Sequence, residues 1–223
     1  MTPAPLRVGG LQPLTTIDFP GRLAAVVFLQ GCPWRCGDCH NPGLLAADAP
    51  TSATWDQVLA FLERRRGLLD GVVFSGGEPT LQAALPDALA AVRAMGFQVG
   101  LHTAGMYPER LAALLPSLDW VGLDVKAPWE CYDRVTGVPG SAAKARASLA
   151  HVLASGVAHE CRTTWHAGLF DAQALGALGE ALASLGVIRW AVQRCRVAGR
   201  PLEAVPVQAL DGARAKRVDV VVR

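Results

Sequence analysis

The sequence predicts an α/β protein built on a parallel sheet, and three observations carry that expectation. Short apolar runs alternate with amphipathic helical patterns from about residue 23 to 195. Strand–helix alternation at that rhythm means βαβ units. Glycines follow two of the helical stretches, Gly96 and Gly156, where chains commonly leave a helix in the left-handed conformation. The unusual polar motifs fall at the ends of the apolar runs, where ligands collect in parallel α/β folds. Six strands are too few for a closed eight-stranded barrel, so an open barrel and a doubly wound sheet both satisfy the periodicity.

Candidate strands span 23–29, 71–75, 97–102, 120–125, 157–164 and 188–193, with a possible last strand at 218–222. Each is a short run of five to eight residues between helical patterns, as expected for strands of a covered parallel sheet. Candidate helices span 54–66, 80–95, 108–115, 141–155 and 171–185. In the second, Leu81, Leu85, Leu89 and Val92 recur at helical spacing and mark a core-facing stripe.

At 223 residues, with 51% hydrophobic and 18% charged residues, the chain can bury a substantial core and is not disordered. A net charge of +2 gives no electrostatic reason to expect a nucleic acid or an anionic membrane as partner. Arg64-Arg65-Arg66 closes a helix, where cations suit the dipole. No basic-then-apolar leader and no membrane-length apolar run is present, which leads us to expect a cytoplasmic protein with reduced thiols.

Composition also ranks the candidates. Only three of 21 basic residues are lysines (Lys126, Lys144, Lys216), and Asn41 is the sole asparagine. A lysine or asparagine beside other unusual residues therefore carries extra weight.

Directly after the first strand comes Q-G-C-P-W-R-C-G-D-C-H-N-P-G, with Cys32, Cys36 and Cys39 spaced C-x3-C-x2-C. Four readings compete. Structural zinc would recruit His40 as fourth ligand, but such sites draw paired ligands from two knuckles, and His40 adjoins Cys39. Cys36 to His40 also matches the C-x-x-C-H of haem attachment, which leaves Cys32 unexplained. Chance is a poor account of such density. In an iron–sulfur cluster, normally held by four thiolates, three leave one iron open for a ligand. The remaining cysteines, Cys131, Cys161 and Cys195, are scattered singly and read as small core residues.

Other strand ends add to this. The second runs into Ser75-Gly76-Gly77-Glu78-Pro79, where two glycines permit close backbone approach. The third ends in His102-Thr103-Ala104-Gly105 and the fourth in Asp124-Val-Lys126. Alternation points Asp124 and Lys126 to one side. Arg162, in an apolar fifth strand, seeks an anion. Gln193 and Arg194 end the sixth.

Together the cysteine triplet and the G-G-E-P turn resemble the radical S-adenosylmethionine (SAM) superfamily. L-Q-G-C, C-H-N-P, F-S-G-G-E-P-T, D-V-K-A-P, Y-D-R-V-T-G and E-C-R-T-T are similar to the glycyl-radical-enzyme activating type. Among these, the nearest branch is that described for anaerobic ribonucleoside-triphosphate reductase. The resemblance implies a partial (β/α)6 TIM-like barrel and one [4Fe-4S] cluster on Cys32, Cys36 and Cys39. It implies SAM binding at Ser75, Gly76, Gly77, Glu78, His102, Thr103, Asp124 and Lys126.

Catalytic roles are implied for Lys126, Arg162 and Asp18, the last two near the entry for a target glycine loop. The implied reaction passes one electron from a flavodoxin- or ferredoxin-type reductant through the cluster to SAM. The resulting deoxyadenosyl radical removes hydrogen from a glycine of the partner enzyme.

The chain departs from the family at two positions. Asp38 stands where relatives usually have an aromatic residue. His102 stands where activating enzymes usually have an aspartate that helps bind a monovalent cation. The expected organisation is one radical SAM domain over 1–223, with a leader at 1–22, the barrel core at 23–195 and an extension at 196–223. Two other readings remain: a radical SAM enzyme acting on a small molecule, such as a 7-carboxy-7-deazaguanine synthase, and a non-catalytic zinc or iron–sulfur protein.

Overall fold

Strand-forming runs that are apolar on both faces need cover on both sides, and the chain provides it with helical crossovers. The computed structural model describes residues 5–197 and 200–223. Eight strands form one sheet: β1 (Val8–Thr15), β2 (Ala24–Leu29), β3 (Gly71–Gly76), β4 (Gln98–Thr103), β5 (Trp120–Asp124), β6 (Ala158–Trp165), β7 (Arg189–Arg194) and β10 (Asp219–Val222). They lie side by side in that order. All neighbours are parallel except β1, which runs antiparallel to β2. A short antiparallel pair, β8 (Arg196–Val197) and β9 (Arg200–Pro201), lies apart from the sheet.

The helices are α1 (Trp55–Glu63), α2 (Leu85–Ala94), α3 (Pro108–Leu114), α4 (Tyr132–Thr136), α5 (Ser141–Ser155), α6 (Ala172–Ser184) and α7 (Asp211–Ala215). Local chemistry sets several of their ends. Thr54 and Gln57 form a capping box at the start of α1, and Gly156 (φ 72°) ends α5.

The predicted fold class holds, with the sheet wider than six strands at both edges. β1 falls within the predicted leader, where two glycines and Pro13 weaken its signal; a proline is tolerated there because β1 is an edge strand. The possible strand at 218–222 exists as β10 and pairs with β7. The predicted helix over 80–95 divides into a 3₁₀ turn, Pro79–Leu81, and α2, so Leu81 leaves the stripe while Leu85, Leu89 and Val92 stay buried. Of the single cysteines, Cys161 and Cys195 are buried and Cys131 is partly exposed in a 3₁₀ turn.

Alternation along the strands divides the interior in two. Ala25, Val27 and Leu29 of β2 join Val72, Phe74, Val99 and Leu101 in the main core under the helices. Ala24 and Val26 turn to the other face, with Val73, Trp120 and Phe19. There Phe19 stacks on Trp120 with ring centroids 5.7 Å apart. On β6, Glu160 is fully buried and accepts hydrogen bonds from Arg189 Nε and from both terminal nitrogens of Arg223, each at 3.0 Å. This end of the inner face is thus filled, and the inner face at the carboxyl ends of the strands is left for a ligand.

Replacing Glu160 by Ala strips Arg223 of its carboxylate and leaves Arg189 only the exposed Asp219, and breaking a buried ion pair this way costs about 3–5 kcal/mol. Chemical denaturation of the variant should show a loss of that size. An unchanged midpoint would mean that solvent satisfies the two arginines.

Candidate active site

Every motif noted at a strand end belongs to one face of the sheet, and the cysteine loop folds over that face. The loop is pinned along its backbone. Gly31 N–H donates to Leu44 O (2.8 Å) and Cys32 N–H to Leu45 O (3.0 Å). On its other side, Arg35 N–H donates to Thr136 O (2.9 Å) and Gly37 N–H to Val135 O (3.0 Å). The Y-D-R-V-T-G segment therefore buttresses the loop through α4, and Trp34 meets Tyr132 edge-on at 6.1 Å.

Beneath the loop lies a cavity of about 220 Å³. Cys32, Cys36 and Cys39 line it, as do Asp18, Ser75, Gly76, Gly77, His102, Thr103, Asp124, Lys126 and Arg162. Of the residues to which the resemblance gives a role in the site, Glu78 alone is absent from the lining. Its fully buried carboxylate is part of the wall. It accepts hydrogen bonds from the Thr80 N–H and hydroxyl, the Thr103 hydroxyl (2.7 Å) and the Ala104 N–H (3.0 Å), tying the end of β3 to the end of β4. Burial pushes its pKa up, and these bonds pull against that.

The two glycines of the turn serve the backbone as well as the lining. Gly76 sits at φ 123°, and a Cβ there would lie 2.3 Å from Leu29 N; at Gly77 it would lie 2.3 Å from Gly31 O. The G-G-E-P turn therefore presses directly on the start of the cysteine loop, closed by Gly77 N–H to Leu29 O (2.9 Å) and Glu78 N–H to Gly31 O (2.8 Å).

Across the cavity, four charged side chains form a chain. Asp124 pairs with Arg162 across the β5–β6 register, and its Oδ1 accepts from Arg162 Nε (2.9 Å) and the terminal nitrogen (2.7 Å). Its Oδ2 lies 3.0 Å from Lys126 Nζ, which is 3.6 Å from Asp38 Oδ2. Burial pushes the Asp124 carboxyl up, but the Arg162 guanidinium and the Lys126 ammonium outweigh it and hold the pKa well below the usual range. Lys126 is opposed by burial and held well above its ordinary value by Asp124 and Asp38. The anion that Arg162 needs is thus supplied by the protein itself.

His102 is buried between Ser75 Oγ (3.2 Å from Nδ1) and the Asp18 carbonyl (2.9 Å from Nε2). Burial, then the nearby Arg162 charge, holds its pKa well below the ordinary value, so the ring is neutral. A carbonyl only accepts; the proton therefore sits on Nε2, and Nδ1 accepts from Ser75. A neutral ring with both nitrogens engaged is a poor substitute for an anionic cation ligand. SAM cleavage should not respond to exchange of sodium or potassium for a bulky organic cation, and a sharp dependence would contradict this account.

Asp18 completes this side, its Oδ2 accepting from Thr15 Oγ1 at 2.6 Å. Gln193 lines the cavity, whereas Arg194 is exposed outside it. Met106, also in the wall, is not singled out by the sequence, and Tyr132, behind the loop, enters there only as the first residue of Y-D-R-V-T-G. Their rarity, three methionines and two tyrosines in the chain, was the available signal.

The six cysteines are free thiols. Burial pushes Cys32 up to about 11 and Cys36 to about 12, so ligation there would release protons. Among the described residues, no three His, Cys, Asp or Glu side chains converge on a single metal ion. One zinc ion needs four donors around one point, which this arrangement does not offer. A cluster takes its thiolates on separate irons, and three cavity-lining thiols fit that demand.

The family-wide pattern described as the Radical SAM superfamily matches residues 26–169, well over half of the chain. The chain belongs to the radical SAM superfamily. A Methanocaldococcus jannaschii protein named as a glycyl-radical enzyme activating enzyme is 29% identical over 171 residues, 74% of this chain and 70% of that one. The pyruvate formate-lyase-activating enzyme of Clostridium pasteurianum is 34% identical over 125 residues, 54% of this chain and 52% of the relative. The match thus spans about half the length of that relative.

Among solved structures, Streptococcus suis SuiB bound to S-adenosylmethionine superposes with a TM-score of 0.65 at 14% identity. The match covers 87% of this chain and 48% of SuiB, and it speaks for the fold alone. Within the superfamily, then, the chain's sequence similarity is to the glycyl-radical activating type. Radical SAM proteins use a [4Fe-4S] cluster and SAM, and the donor set of the cavity fits the cluster. Among the described residues no helix is long and apolar enough to cross a membrane.

Proposed function

We propose that the chain is an activating enzyme that installs a glycyl radical on a partner enzyme, and that the partner is anaerobic ribonucleoside-triphosphate reductase. One observation carries the reading: a three-thiol loop, a G-G-E-P turn and a D-x-K strand end all meet around one cavity of about 220 Å³. Support for the reductase as partner comes from the C-H-N-P, Y-D-R-V-T-G and E-C-R-T-T motifs. The similarity to pyruvate formate-lyase-activating enzymes makes that second glycyl-radical enzyme the comparison to run.

Cys32, Cys36 and Cys39 hold the cluster, and the loop's backbone anchors fix their spacing. Reductive cleavage of SAM is the chemistry that the two cofactors supply when bound. Ser75, Gly76 and Gly77 present the end of β3 to SAM, and Glu78 and Thr103 keep that end rigid. Asp124, Lys126 and Arg162 give a fixed, charge-balanced wall, which avoids reorganisation as charge moves in the reaction. Trp34 and Met106 exclude water. Asp18 and Arg162 flank the entry for the glycine loop. A flavodoxin- or ferredoxin-type protein supplies the electron, in the cytoplasm, and residues 1–223 work as one radical SAM unit.

The test is anaerobic reconstitution with iron and sulfide, reduction in the presence of SAM, and assay of 5′-deoxyadenosine with each candidate partner. A glycyl-radical EPR signal on the reductase is the expected result, and a signal only on pyruvate formate-lyase would reassign the partner. Cleavage without a radical on either would favour a small-molecule substrate. A colourless protein that ignores SAM would remove the enzymatic reading altogether.

A further inference from the structure

Asp38 is the one charged group of the cavity without hydrogen bonds. Its side chain is fully buried, it lines the cavity, and among the described residues neither carboxylate oxygen has a hydrogen-bond partner. Its nearest charge, Lys126 Nζ at 3.6 Å, is beyond hydrogen-bonding distance and is engaged by Asp124 at 3.0 Å. A carboxylate accepts several hydrogen bonds, and burying one with none is costly. Such a group in a cavity wall is set for a donor carried in by the ligand.

Charge bookkeeping narrows the donor. Asp38, Asp124, Lys126 and Arg162 are two anions and two cations in contact, already balanced. Asp38 therefore lacks donors, and needs no further positive charge. The ammonium and sulfonium of SAM would add cations beside Lys126 and Arg162. Its uncharged N–H and O–H groups lie only on the adenosine half, as the base amino group and the ribose hydroxyls.

We propose that Asp38 is a specificity-determining residue that accepts a hydrogen bond from the adenosine half of SAM. This rests on the cavity being the SAM site. It gives the aspartate a function that the aromatic residue usual at this position could not serve, since an aromatic ring offers no carboxylate acceptor.

The experiment is equilibrium dialysis of SAM against the anaerobically reconstituted protein, with iron and sulfide content measured alongside. Asp38→Leu should raise the dissociation constant for SAM roughly ten- to a hundredfold, the range for losing a hydrogen bond to a charged group. Cluster content should be unchanged, and Asp38→Asn, which keeps an acceptor oxygen, should recover most of the affinity. Three analogues identify the donor: SAM with the base amino group replaced by hydrogen, and the 2′-deoxy and 3′-deoxy forms. Wild type should bind one of them more weakly than SAM, and for that one the Asp38→Leu penalty should vanish.

Full SAM affinity in a cluster-replete Asp38→Leu variant overturns the proposal. If that variant fails to hold its cluster, the wild-type arm decides, because equal affinity for SAM and all three analogues overturns it too. Wild type that binds a cluster but no SAM would instead sink the assignment of the cavity.

Discussion

Alanine at Cys32, Cys36 or Cys39, one position at a time, should abolish SAM cleavage, whereas alanine at Cys131, Cys161 or Cys195 should leave it intact. The contrast follows from where the six thiols lie. The first three line one cavity beneath a loop whose backbone is fixed on both sides. Cys161 is buried at 0% exposure in the main core, Cys195 is buried, and Cys131 sits in a 3₁₀ turn. A cluster on three thiolates has none to spare, so losing one should remove bound iron or leave a centre that cannot turn over. Iron and sulfide content and the visible absorbance measure the first effect, and 5′-deoxyadenosine measures the second. Each loop variant should fall to background. Near-normal cleavage in any of them, or its loss in Cys161→Ala with the fold intact, would contradict the assignment.

The central strands were readable because short apolar runs alternate with helical patterns, which a covered parallel sheet satisfies. β1 was not, because an edge strand answers to its neighbour more than to its own propensity, and Gly9, Gly10 and Pro13 dilute its pattern. α4 is only five residues long, too short to show a helical period, yet Val135 and Thr136 hold the cysteine loop through their carbonyls.

In the site, the residues at strand ends were readable as a group because parallel strands deliver their carboxyl ends to one face. Their partners were not. Arg162 was expected to seek an anion, but that the anion is Asp124 depends on the β5–β6 register, which no single strand encodes. Glu160 lies two residues before Arg162 on the same face and could have been noticed by alternation; it belongs to the filled end of the sheet. Glu78 matches its motif in sequence, and only the fold reveals its carboxylate turned into the wall between β3 and β4.

Asp124→Ala should destabilise the protein by about 3–5 kcal/mol, the range for removing one partner of a buried ion pair. It should also lower SAM cleavage at least roughly a hundredfold, as loss of a buried electrostatic element in an active site does. The carboxylate holds two cations at once, Arg162 through Oδ1 and Lys126 through Oδ2. Without it, Asp38 at 3.6 Å is the only anion left to Lys126 in this chain of charges, and Arg162 loses both of its bonds to Asp124. Lys126→Arg keeps the charge but replaces a compact ammonium with a planar fork, and should lose cleavage while keeping most of the stability.

Acidity separates this account from simple loss of packing. The folded-state pKa of Asp124 lies well below its unfolded value, so its stabilisation is complete above the unfolded pKa of about 3.9 and fades as pH falls toward the folded one. The stability gap between wild type and Asp124→Ala, measured by denaturant unfolding, should therefore be constant from about pH 5 to 8 and shrink below about pH 4. A gap as large at pH 3 as at pH 7 would mean that the side chain acts through its volume and leaves the ion pairs without energetic weight.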